Sequence, residues 1–235
     1  MDIRSIHTLQ ADEMPLETVV PYREELEISE LRFDYVSLKS FASFFDIFRL
    51  PNLRKFKYGS LTTDESKEDL IKWIEVLYHT CVTHPTLFSQ ITHLSLTLSH
   101  TFSMEAGLLL RKAASSLLNI KMLRLQATKV LHAISLLGWT QFSPGRGQLS
   151  GETTFPQIET LIITCYDFFT NPDFEMDLQS LRERLEFIAT ERWELGFPLR
   201  KIKVENQESN AVLEIQPGLF HDTTPLLSSS YQIRH

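Results

Sequence analysis

The sequence predicts an α/β chain in which short strands and amphipathic helices alternate about six times. Two patterns and one bulk property predict it. A three-point spacing, apolar-x-x-apolar-x-apolar, recurs along the chain. Segments with apolar residues every three or four positions separate its copies. With 235 residues, 43% of them hydrophobic, the chain can bury a substantial core.

In chain order the strand motif falls at Ile28, Leu31 and Phe33; at Leu53, Phe56 and Tyr58; at Ile91, Leu94 and Leu96; at Ile120, Leu123 and Leu125; at Ile158, Leu161 and Ile163; and at Leu199, Ile202 and Val204. The leading residues of successive copies lie 25, 38, 29, 38 and 41 positions apart. Four copies carry a further apolar residue three positions earlier, at Leu50, Phe88, Leu117 and Phe155, and three open on similar words, LPNL, LLNI and FPQI. Fainter copies are expected at Ile3 and Ile6 and at AVLEIQ from Ala211. Helical spacing predicts helices between them. The first covers 36–49, with Leu38, Phe41, Phe44, Phe45 and Phe48 inward; the next covers 64–82, with Leu70, Trp73, Ile74 and Leu77 inward and a capping box from Thr62 to Glu65. A third is expected over 103–117 with Ser103 as N-cap, and a shorter one over 129–137. The last, over 177–195, turns Leu178, Leu181, Leu185, Ile188 and Leu195 to one side and is stopped by Gly196.

A single strand–helix unit of this kind cannot bury its own apolar face, whereas stacked units can. The spacing is that of the leucine-rich-repeat strand. The expected architecture is therefore an irregular leucine-rich-repeat-like solenoid, a horseshoe with parallel strands on the concave face and helices on the convex face. A doubly wound sheet also alternates strands and helices but does not require the same three-point spacing in each strand. The organisation read from the sequence is an N-terminal edge or partial repeat at 1–25, a solenoid of about six units at 26–206, and a C-terminal cap and loose tail at 207–235. One position departs from the usual repeat. Its ninth residue is Asn or Cys, but here that place holds Val36, Leu61, Ser99, Thr128, Tyr166 and Gln207.

The segment LQSLRERLEFIATERWELGFPLRKIKVEN joins an amphipathic helix, an E-R-W-x-x-G end, a short Pro turn and an L-x-x-I-x-V strand, and FPQIETLIITCYDF precedes it. Together they resemble the C-terminal leucine-rich-repeat region of F-box proteins in mushroom-forming fungi. The likeness is one of rhythm over 26–206 and is distinctive over 155–205. It implies a substrate-recognition region of a ubiquitin ligase receptor. No Leu-Pro followed by a Leu/Ile-rich helical segment stands near the N-terminus. The resemblance therefore implies the recognition half and leaves docking to the ligase adaptor without an F-box to carry it. Within the motif, Arg192 is expected to neutralise the helix C-terminus, and Trp193 to cover the open edge of the core.

Composition narrows the function further. Net charge is −7, from 23 basic and 30 acidic residues, which disfavours nonspecific nucleic-acid binding. Two distant cysteines, Cys81 and Cys165, suit a reduced intracellular compartment, cytoplasmic or nuclear, better than a disulfide framework. MDIRSIHTLQADEMPLE has no signal-peptide core, and no apolar window is long enough to span a membrane.

The residues give no reaction chemistry. HTCVTH at 79–84 gathers His79, Cys81 and His84, with His93 and His100 downstream. It lacks a second ligand pair at zinc-site spacing, and it stands at a helix end, where His is favoured anyway. GWTQFSPGRGQLSGETTF at 138–155 is Gly-rich but lacks the Lys of a P-loop and precedes a strand, so it reads as an insertion loop. Neither a G-x-S-x-G elbow, nor HExxH, nor a nucleotide fingerprint occurs. The expectation is a protein with no catalytic, cofactor or metal site.

The repeat itself points to a surface. Strand side chains alternate between faces, so the residues between the inward ones share the other face. These are Glu30, Arg32 and Asp34; Lys55, Lys57 and Gly59; His93, Ser95 and Thr97; Met122, Arg124 and Gln126; Thr160, Ile162 and Thr164; and Lys201, Lys203 and Glu205. Six are basic and three acidic, an excess of +3 on an acidic chain. The expected binding residues are Arg32, Lys55, Lys57, His93, Arg124, Lys201 and Lys203, and the expected partner is a protein segment bearing acidic or phosphorylated groups. A structural assembly subunit and an enzyme on a doubly wound sheet are the alternative readings.

Overall fold

The computed structural model describes residues 24–34, 38–59, 67–97, 104–127, 130, 133–134, 137, 155–165, 178–207 and 212–216. The elements in chain order are β1 (Glu24–Glu25), β2 (Glu30–Asp34), α1 (Leu38–Ile47), β3 (Phe48–Arg49), β4 (Lys55–Gly59), α2 (Lys67–Thr83), α3 (Pro85–Ser89), β5 (His93–Thr97), α4 (Met104–Ala114), β6 (Met122–Ala127), β7 (Thr160–Cys165), α5 (Leu178–Glu194), β8 (Lys201–Asn206) and β9 (Val212–Ile215). The protein is α/β, with an open and mostly parallel sheet of seven strands.

The strand order is β2-β4-β5-β6-β7-β8-β9, so each strand of this sheet lies beside its predecessor in the chain. A doubly wound sheet reverses its strand order at a switch point, and this order contains no reversal. The pairing is parallel from β2 to β8, while β9 returns antiparallel to β8.

Register follows the apolar spacing. Leu31, Phe56, Leu94, Leu123, Leu161 and Ile202 are successive partners, and so are Phe33, Tyr58, Leu96, Leu125, Ile163 and Val204. All twelve are buried, as are the leading residues Ile28, Leu53, Ile91, Ile120, Ile158 and Leu199. A register slip of one residue would turn each inward row to the opposite face. The strands join one core cluster with Phe41, Phe44 and Phe45 of α1, Ile74 and Leu77 of α2, Ala106 and Leu110 of α4, and Leu185 and Ile188 of α5. Rings close the β2 end: Phe33 meets Phe41 at 5.0 Å and Phe44 at 5.1 Å, both edge to face.

The connections repeat as well. The amides of Leu53, Ile91, Ile120 and Ile158 each bond the carbonyl three residues back, at Leu50, Phe88, Leu117 and Phe155. Just beyond each turn, one carbonyl of the preceding unit accepts two consecutive amides. Ser29 O takes those of Arg54 and Lys55, Arg54 O those of Thr92 and His93, Thr92 O those of Lys121 and Met122, Lys121 O those of Glu159 and Thr160, and Glu159 O those of Arg200 and Lys201. Side chains from the following unit also satisfy turn carbonyls. Gln90 Nε2 donates to Leu50 O at 2.7 Å, and Asn119 Nδ2 donates to Ser89 O. An amide residue just before the leading apolar position thus satisfies a carbonyl of the preceding turn in two units. One place before that ninth position, Cys165 and Asn206 are buried and stand in register.

Arg192 stands in the last turn of α5 and has a further role that the sequence did not indicate. It is fully buried, and its Nη2 donates to Phe155 O at 3.2 Å and Pro156 O at 3.3 Å, in the turn of the preceding unit. Burial pulls its pKa down to about 10, so the guanidinium stays charged near neutrality. Phe155 sits at φ +52, a left-handed conformation that is uncommon for a bulky residue. The helix end is closed by Gly196 at φ +82, with the Phe197 amide bonding Arg192 O and the Gly196 amide bonding Trp193 O, a Schellman cap. Trp193 and Leu195 differ from expectation, being 46% and 43% exposed. Leu195 falls beyond the last helical turn, where the α5 spacing no longer aims it inward.

Other boundaries shift. The first helix ends at Ile47, and Phe48–Arg49 becomes β3, paired in parallel with β1 as a separate two-stranded sheet. Of the short helix expected at 129–137, Val130, Ala133, Ile134 and Leu137 are buried at helical spacing. The faint AVLEIQ strand is β9. Ile3 and Ile6, the Thr62–Glu65 capping box, Ser103 as N-cap, the loop at 138–154, and all six ninth positions except Gln207 lie outside the described residues.

Candidate functional site: the polar face of the sheet

On the face opposite the helices, the residues between the inward ones form three columns across the sheet. The first runs Glu30, Lys55, His93, Met122, Thr160, Lys201, and the second Arg32, Lys57, Ser95, Arg124, Ile162, Lys203. Glu30, Lys55 and Arg124 are exposed, and the others in these two columns are half-buried. All seven candidate residues, Arg32, Lys55, Lys57, His93, Arg124, Lys201 and Lys203, therefore stand on one surface. The third column, Asp34, Gly59, Thr97, Gln126, Thr164, Glu205, lies at the C-terminal side of the strands, and from Gly59 to Glu205 it is more enclosed. Gly59 is required there: a Cβ would stand 2.5 Å from Thr97 Cβ on the adjoining strand.

Carboxylates already engage several of these cations. Lys55 Nζ lies 3.5 Å from Glu30 and Lys201 Nζ 2.9 Å from Glu214. Glu205 holds a denser cluster: Lys203 Nζ at 2.7 Å, Arg124 Nη2 at 3.2 Å from across β7, and Thr164 Oγ1, which donates at 3.2 Å. Burial alone would raise the Glu205 carboxyl, but the hydrogen bond from Lys203 and the charge of Arg124 outweigh it and hold it below the usual carboxylate range. The Glu214 carboxyl is lowered too, chiefly by hydrogen bonds from Lys201 and Gln216. On His93, Nδ1 lies 2.9 Å from Thr92 Oγ1.

Glu214 is the residue that the repeat could not reveal. β9 pairs antiparallel, opposing Glu214 to Lys203 and so adding a fourth acid to the face. The excess of six basic residues over three acids becomes six over four. Alternation within β9 was the available signal, but orientation and register were not written in a three-point motif.

The histidine–cysteine run does not converge. Cys81 is fully buried, and burial pushes its thiol pKa upward, while the His79 side chain is 68% exposed and the His84 side chain 9%, with Nε2 3.5 Å from Asp46. His79 and Cys81 stand two positions apart on α2 and His84 lies beyond its end as the N-cap of α3, so the three groups point in different directions. Among the described residues, no three His, Cys, Asp or Glu side chains form a metal-binding group, and no helix is long and apolar enough to cross a membrane.

Fold and face together define an α/β protein with a sequentially ordered, mostly parallel sheet that presents one apolar face to helices and one charged face outward. Comparison of the chain with protein-family models, with curated proteins and with solved structures finds no match.

Proposed function

We propose that this chain is a noncatalytic protein-binding scaffold, an irregular leucine-rich-repeat-like solenoid of the kind that serves as the substrate-recognition region of fungal F-box ubiquitin ligase receptors. Its partner is a protein segment carrying acidic or phosphorylated groups, bound on the concave face without a cofactor. Sequential strand order and helices gathered on the apolar side support the solenoid reading. The observation that carries the binding reading is the register, which sets Lys55, Lys57, Arg124, Lys201 and Lys203 in two neighbouring columns of one surface. Complementary potentials of this kind steer encounter and favour one partner over others.

The test is affinity capture from fungal lysate by this chain and by the reversal of Lys55, Lys57, Lys201 and Lys203 to Glu, read by mass spectrometry. A partner held by the wild type and lost by a reversal that retains its circular dichroism supports the reading. Equal capture by both refutes it. A second reading, an assembly subunit, draws on Phe187, Trp193 and Leu195, which are 42%, 46% and 43% exposed on or just beyond α5. Self-association in sedimentation experiments, abolished by Trp193→Glu, would favour it.

A further inference from the structure

We propose that Glu205 is a built-in competitor for the partner's anionic group: it occupies a cradle formed by Arg124, Lys203 and Thr164, and a phosphorylated segment enters by displacing it. The inference rests on the binding role proposed above for this face. Three donors from three adjacent strands converge on one carboxylate, Arg124 from β6 at 3.2 Å, Thr164 from β7 at 3.2 Å and Lys203 from β8 at 2.7 Å. Glu30 and Glu214 are each bridged to a single cation of the face. Glu205 is thus the one described carboxylate here that joins two cations and a hydroxyl.

The two cations of the cradle exceed the single charge that a carboxylate brings. A carboxylate brings one charge and two oxygens, whereas a phosphate monoester brings a charge of about −1.5 to −2 and three acceptor oxygens. An aspartate or glutamate from a partner would replace Glu205 like for like, gaining nothing at the cradle. A phosphoryl group can take the same three donors on three separate oxygens and carries more charge into them. Lys201, two residues from Lys203 on the same strand and face, stands beside the cradle for a second phosphate. Its present partner, Glu214, plays the same competing part there. The occupant is therefore a phosphorylated peptide rather than a merely acidic one, and Glu205 sets the threshold that it must exceed.

The experiment is fluorescence anisotropy with a short labelled Gly/Ala peptide bearing two phosphoserines separated by one residue, alongside the same peptide with glutamates. Wild type, Glu205→Gln and the four-lysine reversal are compared, with melting temperatures measured for each. The wild type should bind the phosphopeptide in preference to the glutamate peptide. Glu205→Gln should tighten both by about tenfold, because the competitor is removed for either ligand. A residue that only braced the sheet would give equal or weaker binding when neutralised. That result, with the wild type still binding and the reversal not, overturns the competitor and leaves the face reading standing. No binding by either the wild type or Glu205→Gln overturns both. Should Glu205→Gln fail to fold, Arg124→Gln at the exposed edge of the cradle carries the test: it must weaken phosphopeptide binding, and unchanged binding overturns the proposal.

Discussion

Replacing Arg192 by methionine keeps most of the buried side-chain volume and removes the guanidinium that holds the turn of the preceding unit. The bonds lost include those to Phe155 O and Pro156 O. Hydrogen bonds from a charged donor contribute about 1.5–3 kcal/mol each. The loss is offset because the variant no longer buries a charge, a cost of several kcal/mol before bonding. Phe155 O also keeps the Ile158 amide at 3.3 Å, so one carbonyl stays partly satisfied. The turn itself is strained: a non-glycine residue in the left-handed region costs roughly 1–2 kcal/mol and persists only where its surroundings hold it. Together these give a net loss of about 2 kcal/mol for Arg192→Met. Arg192→Ala adds a cavity at a fully buried site and should lose about 4 kcal/mol. Equilibrium urea unfolding followed by tryptophan fluorescence measures both. For a chain of this length each kcal/mol lowers Tm by roughly 2–4 °C. Methionine as stable as arginine, with alanine still destabilised, would show that the side chain acts by filling space alone, and the clamp reasoning would fail.

Two further outcomes follow from single contacts. Gly59→Ala places a Cβ 2.5 Å from Thr97 Cβ and 2.8 Å from its hydroxyl, so it should destabilise by about 1–3 kcal/mol; in a double-mutant cycle with Thr97→Gly the two losses should be less than additive, and strict additivity would remove the steric explanation. The Glu205 and Glu214 carboxyls sit below their ordinary value in the folded state. Their contribution is therefore complete above the unfolded carboxylate range and is lost as pH falls through the lower folded values; the Glu205→Gln, Glu214→Gln double variant should lose less stability than wild type on acidification below about pH 4.5, and identical acid profiles would refute this.

What the sequence could and could not disclose divides along the range of the interactions. The rows Leu31 to Ile202 and Phe33 to Val204 were legible because each strand must aim the same two residues at one core, and that demand acts within six residues of chain. Gly196 was legible for the same reason, since a helix stop is a local event. The clamp made by Arg192 was not legible because the carbonyls it serves lie 36 and 37 positions away, and nothing local distinguishes an arginine that only faces its own helix end from one that also crosses to the preceding turn. β3 was hidden inside helical spacing: Phe48 continues the row of Phe41, Phe44 and Phe45, yet its backbone pairs with Glu24. The candidate surface was legible as a set of residues but not as an electrostatic object. Its membership follows from alternation, whereas its charge depends on which carboxylates fold back onto it, and Glu214 arrives by an antiparallel return.

That self-pairing changes what kind of binder the face can be. A surface of unengaged lysines captures polyanions by releasing counterions, and its affinity falls steeply with salt and scarcely depends on the ligand's shape. Here Lys55, Arg124, Lys201 and Lys203 already hold Glu30, Glu205 and Glu214. An incoming anion exchanges with a carboxylate tethered to the same sheet, and that carboxylate returns whenever the ligand leaves. Part of the Coulomb gain is cancelled by the pairs that break, so a ligand gains only by what it brings beyond one carboxylate's charge and two oxygens. On the proposed reading, such a face would reject nonspecific polyanions despite its lysines and respond to a group that brings more charge and a third oxygen to the three donors. A net charge of −7 on the whole chain reinforces the rejection at long range. On that proposal, discrimination and modest affinity would have one origin, the occupancy of the cradle by the chain's own glutamate.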